Sequence, residues 1–336
     1  MRIGAGSSGT SPLLCLQEVW TAEAQEAVLS ALALPPENVY YVSTEGEGET
    51  GKDVCEPNDI EAIVACVRKH CAGEPDEELA ICAVDNCIAE GAGLYFRDRD
   101  CLNCLTAMAG VSLEQSIRTC TEKGGASRLY GGRNGIILAS RWPLLDKEAI
   151  RLPSSAANRV ALFARVEVPG RGPVEVACTH LSAKNYLSPT HPAFGDWSEE
   201  QHAQLRQISE KLLFRAQARP QLFMGDMNCG QRHDPVNEPL MWGSWKLAAD
   251  LGFVSPAEYA EPPFCSWCSG NHLTDSDGDR LIDHVFVRNP DEGAALRPLT
   301  AYRILDEMIV FLDRRGKKII AHLSDHYGVV VEFDLR

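Results

Sequence analysis

Positive charge is scarce in this chain of 336 residues. Its 32 lysines and arginines stand against 47 aspartates and glutamates, a formal net charge of −15. Broad, sequence-independent nucleic-acid binding needs a basic footprint, so the balance argues against it while leaving a local basic groove open. Long apolar runs are also missing. None approaches the roughly 20 residues needed to cross a bilayer, so no stable membrane span is expected. Residues 1–10 are rich in Gly and Ser and have no apolar h-region, so they read as a tail or linker rather than a signal peptide. The acidic run Asp275-Ser276-Asp277-Gly278-Asp279 lacks the downstream Glu of a calcium loop and reads as a turn.

Cysteine, by contrast, is plentiful, with 13 in all. Cys55, Cys66, Cys71, Cys82, Cys87, Cys101, Cys104 and Cys120 crowd one short acidic stretch. An even, dense set reads as a disulfide scaffold, although spacing alone assigns no pairing. A structural zinc site would want two close pairs, and the stretch offers only Cys101/Cys104 and His70. Disulfides imply an oxidising compartment, hence a secreted or periplasmic protein. Composition shifts at the acidic linker that starts at Thr44. Residues 44–130 hold 17 acidic and 8 basic residues, −9 of the −15. They read as an insertion into a domain formed by 11–43 and 131–336. A lid or partner-binding module is one role for it, a stabilising decoration the simpler one. Cys265-Ser266-Trp267-Cys268 is a further close pair: a disulfide, a redox pair or two thiols.

Periodicity predicts strands over 12–19, 38–43, 136–139, 160–168, 174–179, 220–226, 280–287 and 327–333, with residues 301–311 and 316–322 framing the last turn. Helices are expected over 21–34, capped by Thr21, over 59–70 and over 111–120. Another follows Ser198-Glu199-Glu200-Gln201, which reads as a capping box, with Leu205, Ile208, Leu212 and Leu213 buried. A loop over 184–197 offers Tyr186, His191, Phe194 and Trp197 as a substrate wall or as loop packing.

Chemistry collects at strand ends. Leu222-Phe223-Met224-Gly225-Asp226-Met227-Asn228-Cys229-Gly230 reads as a buried strand entering a tight turn, with Asp226 and Asn228 on one side. Four more stretches end β-rich runs: Leu16-Gln17-Glu18, Thr179-His180-Leu181, Ile282-Asp283-His284-Val285 and Ser324-Asp325-His326-Tyr327-Gly328-Val329. In this order they resemble the signature of the endonuclease/exonuclease/phosphatase superfamily. It includes pancreatic-type deoxyribonucleases, abasic-site endonucleases, neutral sphingomyelinases and inositol-polyphosphate phosphatases. Five ordered motifs are far more specific than any one.

The resemblance implies a DNase I-like α/β fold, a four-layer sandwich of two mixed β-sheets flanked by helices. It implies metal-dependent hydrolysis of a phosphate ester, with Mg²⁺ as the expected ion and Mn²⁺ or Ca²⁺ as alternatives. Glu18 is the expected principal metal ligand and Asp325 a metal-side carboxylate. His326 matches the general base and Asp283 the carboxylate that fixes its tautomer. Asp226 and Asn228 match the pair that orients the nucleophile or leaving group and binds phosphate, and His180 the donor that stabilises phosphate charge. Asn134 either faces substrate or shapes the turn before its strand. One feature departs from the pattern: members carry an earlier strand ending in Asn, and no Asn occurs here before Asn38. A fragment lacking that strand, or a replaced segment, is expected.

The expected partner is a phosphodiester, a phospholipid or a nucleic acid, met by a monomer. A phospholipid suits the acidic charge and the aromatic loop. A nuclease would build a basic groove from Arg133, Arg141, Arg159 and Lys184. A binding protein with a degenerate site is the reading from outside enzymology, and the retained acidic and histidine set argues against it.

Overall fold

The computed structural model describes residues 13–45, 55–107, 111–121, 128–184, 190, 193–232, 236–237, 239–274, 278–289, 296–312 and 318–334. Tyr186, His191 and the start of the acidic turn at Asp275 lie outside these residues.

The chain opens with β1 (Leu13–Leu16), α1 (Ala22–Leu32) and β2 (Val39–Tyr40). Thr21 caps α1 as expected, accepting a hydrogen bond from Ala24 N–H at 3.0 Å. Five short helices follow: α2 (Pro57–His70), α3 (Asp76–Asn86), α4 (Ile88–Arg97), α5 (Arg99–Ala107) and α6 (Leu113–Thr121). Strands then dominate: β3 (Ile137–Ser140), β4 (Leu144–Leu152), β5 (Arg159–Val168) and β6 (Gly172–His180). Next come α7 (Trp197–Ala216), β7 (Gln221–Asp226), α8 (Trp242–Asp250), β8 (Asp283–Arg288), β9 (Arg297–Ile304), β10 (Ile309–Leu312), β11 (Lys318–Ala321) and β12 (Gly328–Asp334).

The larger sheet has the order β4-β5-β6-β7-β8 and is mixed: β6 and β7 run parallel, the other pairs antiparallel. Over one face lie the antiparallel sheets β1-β3-β2 and β9-β12, with β10-β11 as a separate hairpin. Side chains from β5, β6 and β7, among them Leu162, Val176 and Met224, meet Leu138 of β3, with Leu13 of β1 and Phe333 of β12 packed against them. The other face carries α7 and α8, whose Leu205, Ile208, Leu212 and Ala248 pack on Phe163, Phe223 and Phe286. The expected sandwich of sheets flanked by helices is therefore present. Its outermost layer is thin, since α1 buries no residue.

Local expectations fare unevenly. Helix α7 starts at an Asp196 N-cap, which accepts from Glu199 N–H at 2.9 Å, and not at a Ser198 capping box. Glu200 and Gln201 are unavailable for capping because both are buried and bound to distant segments. Glu200 accepts from Ser155 N–H (3.1 Å) and Ser182 Oγ–H (2.6 Å), and Gln201 donates to the Ser182 carbonyl (2.5 Å). Leu213 lies on the solvent side, 52% exposed, while Leu205, Ile208 and Leu212 are buried.

All eight cysteines of the helical stretch pair: Cys55–Cys101, Cys66–Cys87, Cys71–Cys82 and Cys104–Cys120. This splits Cys101 from Cys104, removing the close pair that zinc would need. Cys265–Cys268 is a disulfide too, and Cys15–Cys178 ties β1 to β6 across the two sheet layers. Cys229 is free and buried.

Candidate active site

Strand register assembles the site. β6 and β7 run parallel with His180 opposite Asp226, and β7 and β8 run antiparallel with Asp226 opposite Asp283. β6 and β7 thus end, and β8 begins, with a polar side chain at one edge of the larger sheet. Gly225 permits this closeness: its φ is +145°, and a Cβ there would sit 1.9 Å from the Thr179 carbonyl oxygen. No other residue fits so near β6. The turn after β7 places Asn228 in the left-handed region, φ 46°. Its N–H donates to Asp226 Oδ1 at 2.7 Å, and its Nδ2 donates to the Leu181 carbonyl at 3.1 Å. This is an Asx-type turn, and it fixes both side chains.

The second sheet layer supplies the facing groups. His326 enters from the loop before β12, with its Nδ1 2.8 Å from Asp283 Oδ2. Ligand atoms of Asp226, Asp283 and His326 all lie within 4.8 Å of one another. Glu18 follows β1 in a left-handed conformation, φ 60°, within electrostatic reach of Asp325, His326, Arg159 and Asp283. Asp325 accepts from Ser324 Oγ–H at 3.2 Å.

Protonation follows from crowding. Burial, then repulsion from Asp283, pushes the Asp226 carboxyl up to about 7. Loss of solvent and then repulsion from Asp325 raise Glu18 as well. Burial works against a charged His326, but Asp283, Asp226 and Asp325 outweigh it and raise the imidazole to about 10. Burial, Arg159 and His326 together lower His180 well below the ordinary range, so it is neutral. Its Nε2 faces Asp226 Oδ2 at 3.3 Å, while Nδ1 is buried without a hydrogen-bond partner among the described residues.

These donors fit a hard divalent cation. Carboxylate oxygens predominate, and their mutual repulsion is the condition that such an ion relieves. The chemistry open to this set is proton transfer by a carboxylate-held imidazole next to fixed donors for an anion.

Seven of the eight candidate residues therefore meet in one place: Glu18, His180, Asp226, Asn228, Asp283, Asp325 and His326. Asn134 takes the turn-shaping role. It is buried, donates to the Val42 carbonyl (2.8 Å) and Thr44 Oγ (3.1 Å), and accepts from Ile136 N–H (3.1 Å). The sequence offers Arg159 only as a groove cation and does not pair Trp20 with Tyr130. Trp20 stacks on Tyr130, with ring centroids 4.0 Å apart and 8° between planes, and lies 6.1 Å from the His180 ring. Arg159, at the start of β5, is buried beneath Trp20 and feels both Asp226 and Glu18. Trp20 sits two residues after Glu18, but nothing local marks Tyr130 as its partner.

The sequence matches the profile of the Endonuclease/Exonuclease/phosphatase family over residues 11–326. No sequence of a curated protein matches the chain. Among solved structures it is similar to an endonuclease/exonuclease/phosphatase from Beutenbergia cavernae at 23% identity and a TM-score of 0.40, covering 60% of this chain but only 47% of that one. It is similar to D. rerio TDP2 complexed with single strand DNA product at 21% identity and a TM-score of 0.43, covering 59% and 72%. It is also similar to beta toxin from Staphylococcus aureus at 16% identity and a TM-score of 0.45, covering 59% and 67%. The chain belongs to the endonuclease/exonuclease/phosphatase family, a family of metal-dependent phosphoesterase hydrolases.

Proposed function

We propose that this chain is a secreted or periplasmic Mg²⁺-dependent phosphodiesterase whose substrate is a phospholipid. The chemical part rests on one observation, the convergence of Asp226, Asp283 and His326 at the ends of β7 and β8 and before β12. His326 takes the proton from the attacking water, and Asp283 holds the ring with Nε2 free to do so. Asn228 and His180 donate to phosphate oxygens, and Asp226 orients the nucleophile or the leaving group. Glu18 and Asp325 would hold the cation, which would supply the positive charge that neutralises phosphate and offsets the carboxylates keeping a proton on His326.

The phospholipid reading is supported by what surrounds the site. Ile304 of β9 pairs with Gly328, two residues beyond His326, and is exposed together with Tyr302. Met308, Val310, Phe311, Ile320 and Leu323 continue an exposed apolar band along the hairpin that leads into the His326 loop. An amphiphile matches such a surface. The cations that a nuclease would use are partly spent: Arg133 is paired with Glu45 at 2.6 Å, and Arg159 is buried.

A substrate panel tests both halves. Sphingomyelin vesicles, plasmid DNA and bis(4-nitrophenyl) phosphate are each incubated with Mg²⁺ or EDTA. The proposal expects Mg²⁺-dependent turnover of the simple diester and of vesicles above DNA. DNA cleaved in preference would overturn the substrate, and no turnover on any would overturn the activity.

A further inference from the structure

The segment from Cys265 to Asn271 stands outside the reacting groups, yet it touches both halves of the His326–Asp283 pair. Ser266 Oγ accepts hydrogen bonds from the N–H groups of Ile282 and Asp283, each at 3.1 Å. The Ser266 carbonyl accepts from Tyr327 N–H at 2.8 Å. Trp267 forms an isolated β-bridge with His326, and its indole lies 20° from parallel to the imidazole with centroids 6.2 Å apart. The Arg280 guanidinium lies 5.1 Å from the Trp267 ring, and the two residues exchange backbone hydrogen bonds of 2.9 and 2.8 Å. Asn271, whose N–H donates to the Cys268 carbonyl, donates from Nδ2 to the carbonyls of Ser324 (2.8 Å) and Asp325 (3.1 Å). Asp283 opens β8 of the larger sheet and His326 lies in the loop before β12, 43 positions apart, and this segment spans them.

The Cys265–Cys268 disulfide closes the part of the segment that holds Ser266 and Trp267. A bridge three positions long constrains the unfolded chain little beside Cys15–Cys178, which spans 163. Its consequence is therefore local. Arg303 Nη1 lies 3.7 and 3.8 Å from the two sulfurs, and a guanidinium there stabilises thiolate once the bridge opens.

We infer that the Cys265–Cys268 bridge is a positioning element for the His326–Asp283 pair, and that opening it with a dithiol lowers turnover while the fold persists. One thiolate of the dithiol attacks a bridge sulfur and the Cys265–Cys268 bond breaks. The second thiol then displaces the mixed disulfide. The dithiol leaves oxidised as its own disulfide, and its two electrons and two protons end on Cys265 and Cys268 as thiols. The inference rests on His326 and Asp283 being the proton-handling pair.

The test uses the full chain with Mg²⁺ and bis(4-nitrophenyl) phosphate, recording kcat, KM and thermal midpoint for five proteins: wild type, Cys265→Ser/Cys268→Ser, Trp267→Phe, Trp267→Ala and His326→Ala. The double variant is expected to lose kcat roughly 10-fold, the lower end for a lost outer-shell partner, with KM and midpoint nearly unchanged. Dithiothreitol should bring wild-type kcat to the same level, reoxidation should restore it, and the double variant should not respond. Trp267→Phe keeps a flat ring on His326 and should retain kcat, whereas Trp267→Ala should not. Wild-type kcat in the double variant, or an equal effect of dithiothreitol on both, would overturn the inference, as would equal activity of the two Trp267 variants. A fully active His326→Ala control would instead overturn the underlying reading of the site.

Discussion

Residues 55–121 and the sheet sandwich hold themselves together by different means. The helical stretch has little apolar material: among its described residues the buried aliphatic ones are Ile60, Val67, Leu94 and Leu102, packed with buried cysteines. Four disulfides, closing separations of 46, 21, 11 and 16 residues, make up the deficit. Loops of this length are each worth roughly 3 kcal/mol in the chain-entropy account. The sandwich instead fills two cores, one between the sheets and one under α7 and α8. Strand register sets positions to a fraction of an ångström, and a disulfide scaffold of short helices offers no comparable ladder. The candidate set Asp226, Asp283 and His326, with ligand atoms within 4.8 Å of one another, sits accordingly beside strand ends. The two regions touch where α5 packs against the turn at Leu129–Gly132, which carries Tyr130.

The widest gap between the regions should appear in turnover. His326→Ala is expected to lower kcat by about 10²- to 10⁴-fold, the range of general acid–base catalysis. Its side chain is 24% exposed in the loop before β12, so the variant is expected to fold, with a midpoint lowered by the loss of Asp283's partner. Steady-state kinetics beside a melting curve would read both, and a folded variant with normal kcat would erase the distinction.

Stability offers the next contrast. Cys15→Ser/Cys178→Ser removes the link between the sheet layers, spanning 163 residues. It should destabilise the sandwich by about 2–4 kcal/mol, read as a lower midpoint in denaturant.

A smaller effect depends on pH. His284 is buried between Ser255 Oγ (2.8 Å) and the Cys229 carbonyl (3.0 Å), and burial lowers it to about 4. The unfolded chain binds this proton below the ordinary value near 6.5, while the folded one refuses it until about 4. Stability therefore falls as pH drops through that window, by on the order of 2–3 kcal/mol. His284→Gln has no such proton to bind, so its stability deficit at pH 7 should narrow by pH 4. A constant gap in urea titrations would contradict this.

The least effect is expected from Cys104→Ser/Cys120→Ser. Hydrogen exchange should quicken in α5 and α6 while kcat stays within about twofold, since loss of a disulfide acts first on local opening. A large fall in kcat would make the helical stretch part of the site.

How much of this was legible beforehand varied by feature. The seven candidate residues that the fold brings together were readable because each lies beside an apolar strand run and keeps its place in the motif order. The Glu200–Ser182 and Gln201–Ser182 contacts were not, because they join segments 18 and 19 positions apart through a loop without periodicity. The capping-box reading failed for this reason. Trp20 and Tyr130 meet across 110 positions, and only tertiary packing brings them together. Among the cysteines, density signalled disulfides, but the partners of Cys101 and Cys104 followed from the packing of α2, α5 and α6. β4 went unread because Leu144–Leu152 mixes charge with apolar residues on a sheet edge.

We propose that Glu18 and Asp325 hold a divalent cation beside a His326–Asp283 pair that hydrolyses a phosphodiester, and titrating Mg²⁺ against turnover of bis(4-nitrophenyl) phosphate in wild type and Glu18→Gln tests it. No turnover is expected in EDTA, with recovery on Mg²⁺ and a half-activating concentration at least about tenfold higher in Glu18→Gln, because one anionic ligand is gone while the shape is kept. Equal half-activation in the two proteins, or turnover undiminished by EDTA, would contradict it.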